Sequence, residues 1–129
     1  MNPVVHFELP YQEAGRAKTF YENVFGWNTN QLGPEMGDYI LVTTATCDVR
    51  KGLPAGAIDG GMYPRQADTA YQYPSLIIGV EDIHEHRERI TENGGKVLGE
   101  PHEIPGTGYY LSFLDPEGNR LSILEPTRQ

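Results

Sequence analysis

The sequence predicts an α+β protein made of two modules with the same order of elements: one strand, one helix, then three strands. Three observations predict it. A short run with alternating apolar residues precedes each of two amphipathic stretches. Each amphipathic stretch ends in glycine. The second set follows the first at an offset of 69 residues, so Ser75 lies opposite His6, His86 opposite Ala17, Ile90 opposite Tyr21 and Gly95 opposite Gly26. The length of 129 residues suits a single domain spanning 1–129, with one module over about 1–65 and the other over about 72–129.

The first strand is read at Val4 to Pro10. Val5, Phe7 and Leu9 share one face, while Val4, His6 and Glu8 share the other. A helix follows from Glu13 to Phe25, with Ala14, Ala17, Phe20, Tyr21, Val24 and Phe25 as its apolar stripe and Gly26 as a left-handed stop. That helix should cover the Phe7 face, leaving His6 and Glu8 turned away from it. Residues 28–37 read as turn-rich, with Gly33-Pro34 and Gly37 as breakers. Two of the three later strands are located, Tyr39 to Thr44 and Gly60 to Tyr63. The glycines of the latter mark a close backbone approach. Asp48 to Gly56 reads as an exposed loop and Pro64 to Tyr73 as a linker.

In the second half, Leu76, Ile78 and Val80 repeat the opening alternation. Asp82 caps a helix from Ile83 to Asn93, Glu85 completes a capping-box pair, and Ile83, His86 and Ile90 form the inner stripe. Gly94-Gly95 stops it. Strands are read at Lys96 to Leu98, Tyr109 to Leu114 and Leu121 to Glu125, with Asp115-Pro116-Glu117-Gly118-Asn119 as the turn between the last two.

Composition narrows the function classes. Ten basic against eighteen acidic residues give a net charge of −8, which argues against nucleic acid or an anionic membrane surface as a partner. No apolar run approaches the ~20 residues that cross a bilayer, and the N-terminus lacks a signal-peptide pattern. With a single cysteine, Cys47, read as inert, the expectation is a cytoplasmic protein.

Several stretches together carry a family resemblance. They are His6-Phe7-Glu8-Leu9, the run Phe20-Tyr21-Glu22-Asn23-Val24-Phe25-Gly26-Trp27, Asn93-Gly94-Gly95, the Asp115–Asn119 turn, and Leu121-Ser122-Ile123-Leu124-Glu125-Pro126. In this order they resemble the vicinal oxygen chelate superfamily of glyoxalases, extradiol dioxygenases and bleomycin-resistance proteins. The segment from Ile104 to Asn119 is similar to a glyoxalase-like subgroup whose reactions are mostly unassigned. The resemblance implies two βαβββ modules whose mixed sheets form a half-open cleft, a small-molecule ligand and a homodimer. It also implies metal ligands on the first and last strands of each module. Carried over residue by residue, those positions are His6, the strand Gly60-Gly61-Met62-Tyr63, Ser75 and Ser122. Only His6 is a family-type ligand, and a catalytic divalent ion needs about three protein ligands. No cofactor is therefore expected, the divalent metal being the alternative.

The candidate site follows from both lines. His6 is the candidate general base or hydrogen-bond partner, because an imidazole exchanges protons near neutral pH. Glu8 would hold or charge it. Ser75, Ser122, Tyr109, Tyr110 and Tyr63 are candidate substrate contacts, Tyr109 and Tyr110 necessarily on opposite faces. His84 and His86 read as helix-surface residues and His102 as part of a loop. The expected function is a glyoxalase-like protein binding a small organic molecule in the cleft without the metal quartet. The alternatives are a metal-dependent lyase or dioxygenase with an unusual ligand set, or a protein that sequesters a drug or metabolite without turnover.

Overall fold

The computed structural model describes residues 1–45 and 58–127. Cys47 and the loop read at Asp48 to Gly56 lie outside the described residues. Among the described residues are eight strands and two α-helices, an α+β arrangement of two βαβββ modules. The chain divides into two compact units, residues 6–74 and residues 1–5 with 75–129. No helix among the described residues is long and apolar enough to cross a membrane.

The unit of residues 6–74 holds β1 (Val4–Tyr11) from His6 onward, α1 (Ala14–Phe25), β2 (Asn28–Gln31), β3 (Ile40–Thr43) and β4 (Asp59–Pro64). The strand order is β2-β3-β4-β1, with β1 parallel to β4 and the other pairs antiparallel. His6 pairs with Asp59 and Glu8 with Gly61. Phe7, Leu9 and Tyr11 pack with Ile40, Val42 and Met62 under Ala14, Ala17 and Tyr21 of α1, with Trp27 at the side. Gly26 ends α1 at φ 72°, a left-handed conformation that a side chain would strain.

The predicted apolar stripe of α1 is wider than the surface that covers it. Ala14, Ala17 and Tyr21, at spacings of three and four, face the sheet. Phe20, Val24 and Phe25 are exposed instead, and the Phe20 and Phe25 rings lie against Tyr21 on the flank. The turn-rich reading of residues 28–37 also needs correction, since β2 occupies Asn28–Gln31. Its Asn-Thr-Asn-Gln sequence has no apolar alternation because it is an edge strand whose outward side chains meet water.

The unit containing residues 75–129 holds β5 (Ser75–Gly79), α2 (Ile83–Glu92), β6 (Lys96–Ile104), β7 (Gly108–Leu114) and β8 (Arg120–Pro126), in the order β5-β8-β7-β6. β5 and β8 are parallel. Residues 1–5 join this unit, with the Pro3 carbonyl accepting from the Gly79 amide at 2.9 Å. Ile83 of α2, fully buried, packs with Val80, Leu111, Phe113 and Ile123, and Ile90 lies against that cluster. The helix caps keep the offset of 69 residues at Glu13 and Asp82.

Asp82 accepts from the His84 and Glu85 amides, as a cap should. Glu85 pairs with Arg89 one turn along rather than closing a capping box. β6 runs well past Leu98. Gly99, at φ 92°, carries the strand through a register shift, so His102 is a strand residue paired with Tyr110 and not part of a loop.

The Asp115–Asn119 turn is closed by the aspartate itself. Its Oδ1 accepts from the Asn119 and Glu117 amides, each at 2.9 Å, and its Oδ2 from the Asn119 side chain at 3.1 Å. These bonds, chiefly those from Asn119, hold its carboxyl below the usual aspartate range. The lowered value means that the ionised carboxylate favours the fold. That contribution is present above the ordinary aspartate pKa and is lost as pH falls through the lowered one. Replacing Asn119 by Ala removes the side-chain bond while keeping the backbone one, and should move the Asp115 carboxyl midpoint upward in an NMR titration; an unmoved midpoint would show that the asparagine side chain does not contribute.

Candidate functional site

The buried polar side chains among the described residues are Glu8, Ser75, Ser112, Arg120 and Ser122. Strand alternation places all five on the sheet faces turned away from the helices. Glu8 stands between Phe7 and Leu9, which pack under α1. Ser112 and Ser122 stand between residues that pack with α2. Ser75 shares the face of Ile77, which pairs with Ser122. Polar groups are costly to bury without partners, so each position demands an account.

In the unit of residues 6–74, His6 Nδ1 lies 3.2 Å from the Asp59 carbonyl oxygen. A carbonyl only accepts, so Nδ1 carries the proton, and in the neutral ring Nε2 carries the lone pair. His6 is thus set up as a proton acceptor at Nε2. Glu8 Oε2 accepts from the Tyr39 hydroxyl at 3.0 Å.

Gly61 makes the Tyr39 contact feasible. A Cβ at residue 61 would stand 2.0 Å from Tyr39 Oη and 2.2 Å from Cζ. The neighbouring Gly60 fits the expected close backbone approach, since a Cβ there would stand 2.3 Å from the Phe7 carbonyl oxygen. Tyr39 is anchored through its neighbour: the Tyr11 hydroxyl donates to the Asp38 carbonyl at 2.5 Å. Burial, then the Asp38 charge, pushes the Tyr11 phenol above its ordinary pKa. Tyr63, on the Gly61 face of β4, donates to the Tyr73 carbonyl at 2.6 Å.

In the other unit the hydroxyls form a chain. Ser112 Oγ and Ser122 Oγ are 2.9 Å apart on paired strands. Ser122 Oγ donates to Tyr110 Oη at 2.7 Å. Arg120 Nη1 approaches Ser112 and Ser122 at 3.4 and 3.5 Å, and Ser75 donates to the Arg120 carbonyl at 2.9 Å. Tyr110 therefore shares the face of Ser75 and Ser122, with the His102 ring 5.5 Å away. Tyr109 points to the opposite, helix-side face and is 40 % exposed. His86 lies on α2, 3.2 Å from the Asp82 carbonyl and 3.3 Å from Asn2 Oδ1.

Arg120, Ser112 and the Tyr39–Glu8 bond were not foreseen. For Arg120 the signal was present: it shares strand parity with Ser122, so a charged residue was due on the inward face. The Tyr39–Glu8 bond joins residues 31 positions apart and left no local sign.

The residues at the family's ligand positions do not fit a divalent ion. Register identifies the second position, because Gly61 pairs with Glu8 as Ser122 pairs with Ile77. The set is one imidazole, one glycine and two serines engaged with protein partners. Among the described residues no three His, Cys, Asp or Glu side chains gather around one point. Neutral hydroxyls are weak ligands for Zn, Ni or Fe.

The hydroxyl chain has a measurable consequence. Ser122→Ala removes the oxygen that bonds both Ser112 and Tyr110, leaving only their longer 3.4 Å contact, and should cost about 1–3 kcal/mol. The measurement is the urea midpoint at unchanged slope. A cost below about 0.5 kcal/mol would place the chain among ordinary surface contacts.

Comparison with known proteins agrees with this architecture. A "Glyoxylase-like domain-containing protein" of Didymella fabae is 28% identical over 123 residues, covering 90% of this chain and 88% of that protein. The "Anthracycline biosynthesis protein DnrV" of Streptomyces peucetius is 24% identical over 91% of this chain, which spans only 44% of that protein's length. In structure, a Streptomyces coelicolor methylmalonyl-CoA epimerase variant in complex with 2-nitronate-propionyl-CoA superposes with a TM-score of 0.67. It is 16% identical and covers 94% of each chain, a likeness of fold alone. Residues 4–123 match the family described as "Glyoxalase/Bleomycin resistance protein/Dioxygenase superfamily". With that match over nearly its whole length, the chain belongs to this superfamily.

Proposed function

We propose that this chain binds a small organic molecule against the polar faces of its sheets, and that it does so without the family's metal quartet. One observation carries the reading: all the buried polar side chains among the described residues stand on the faces away from the helices. A face that only had to be packed would be apolar there, as the helix-side faces are. A few convergent polar groups on an otherwise apolar surface suit a small ligand.

In this reading His6 Nε2 takes or gives the proton, and Glu8 supplies the negative charge on the same strand face. Tyr63 lies on the same face of the unit of residues 6–74, and in the other unit Ser122, Tyr110 and Ser75 offer hydroxyls on the corresponding face. Tyr109, on the helix side, has no part in it. No step requires an ion as electrophile, so the accessible chemistry is proton transfer at carbon or oxygen, or binding alone.

The test is a thermal-shift screen of EDTA-treated protein against small organic acids and acyl-CoA esters, the latter being the ligand class in the epimerase complex. A ligand at a hundred times its Kd should add about 2.7 kcal/mol of stability. His6→Ala and Glu8→Gln should each abolish that shift, with the ligand-free His6→Ala protein melting within a few degrees of wild type. Mass spectrometry of the recovered ligand then separates an enzyme, which alters it, from a sequestering protein, which does not. A shift undiminished in both variants would place binding elsewhere and overturn the reading.

A further inference from the structure

The mismatch with a metal has a structural cause beyond the missing side chain at residue 61. We propose that Tyr39 occupies the second ligand position of the first module, and that divalent ions are excluded from the His6 face by packing as well as by composition. The proposal rests on the reading above that this face is the ligand-binding one.

Three observations carry it. Register makes Gly61 the equivalent of Ser122, so a family-type ligand would have to start from the residue 61 Cβ. Tyr39 Oη, Cζ and Cε1 stand 2.0, 2.2 and 2.3 Å from where that Cβ would be, far inside any real contact. The phenol is not free to swing away. It donates to Glu8 on one side, and its backbone neighbours are fixed by the Tyr11–Asp38 bond and by Ile40, which is fully buried. The buried carboxylate of this face is carried by β1 at residue 8, with its Oε2 engaged by a neutral phenol. The Asp59 carboxylate, on the same face by register with His6, accepts from the Thr44 amide at 2.8 Å. No three His, Cys, Asp or Glu side chains gather around one point among the described residues. A protonated phenol is a poor ligand, and a single imidazole beside it leaves an ion short of the three ligands it needs.

The experiment uses Ni²⁺ as the probe, titrated calorimetrically into the EDTA-stripped protein. Wild type should bind no ion whose affinity depends on His6, so His6→Ala should leave the isotherm unchanged. Gly61→Glu alone should gain nothing, because Tyr39 still fills the space. Tyr39→Phe/Gly61→Glu should also gain nothing, since the ring remains. Tyr39→Ala/Gly61→Glu should bind one Ni²⁺ per chain at least tenfold more tightly than wild type, and adding His6→Ala should abolish that gain.

Melting temperatures of Gly61→Ala in the wild-type and Tyr39→Ala backgrounds keep the proposal testable if the glutamate variants fail to fold. The alanine should cost several degrees in wild type and less than half of that without Tyr39. Stoichiometric His6-dependent Ni²⁺ in wild type would overturn the proposal. So would Gly61→Glu or Tyr39→Phe/Gly61→Glu binding as tightly as Tyr39→Ala/Gly61→Glu, no gain in Tyr39→Ala/Gly61→Glu, or an equal alanine cost in both backgrounds. A failed ligand screen with these results intact would reject the binding function and leave the steric exclusion standing.

Discussion

A strand can show only every second side chain to one face, and that constraint organises this molecule. In each module the helix covers one parity. Phe7, Leu9 and Tyr11 lie under α1, and Leu111, Phe113 and Ile123 lie under α2. The same rule forces Glu8, Ser112 and Ser122 onto the other faces, where they are buried and must find partners. The hydroxyl chain of Ser112, Ser122 and Tyr110 is one solution, and the Tyr39–Glu8 bond is the other. The first joins the neighbouring strands β7 and β8, and the second reaches across β4 from the residue before β3 to β1. Shifting the strands of either module by one residue would therefore break its polar network and its apolar core together.

The two modules share a plan but differ in how they fill their equivalent positions. Where the second places Ser122 opposite Ile77, the first places Gly61 opposite Glu8. The glycine admits an aromatic ring from the residue before β3, and the ring brings a hydroxyl to a carboxylate. This is a packing answer to a buried acid: a phenol donor at 3.0 Å.

Much of this was legible in the chain because the deciding signals are local. Gly26 as a left-handed stop, Asp82 as a cap and the Asp115 turn all depend on a residue and its near neighbours. The parity of His6 and Glu8 followed from Phe7 and Leu9 beside them. What escaped was whatever depended on distant context. β2 is a polar edge strand, recognisable only by its pairing with β3. β6 continues past Leu98 to Ile104 through a register shift that only its pairing with β7 reveals. The width of the α1 stripe misled because a helix shows which residues are apolar, not how many of them its sheet can cover. Tyr39 meets Glu8 only because Gly61 lies between them, a three-body fact that no single stretch of sequence contains.

The most direct measurement is an anomalous-scattering map of crystals grown from protein purified without chelators and soaked in Ni²⁺. The account predicts water or an organic molecule beside His6 Nε2, with Tyr39 still donating to Glu8. An anomalous peak within coordination distance of His6 and two further protein side chains would contradict it.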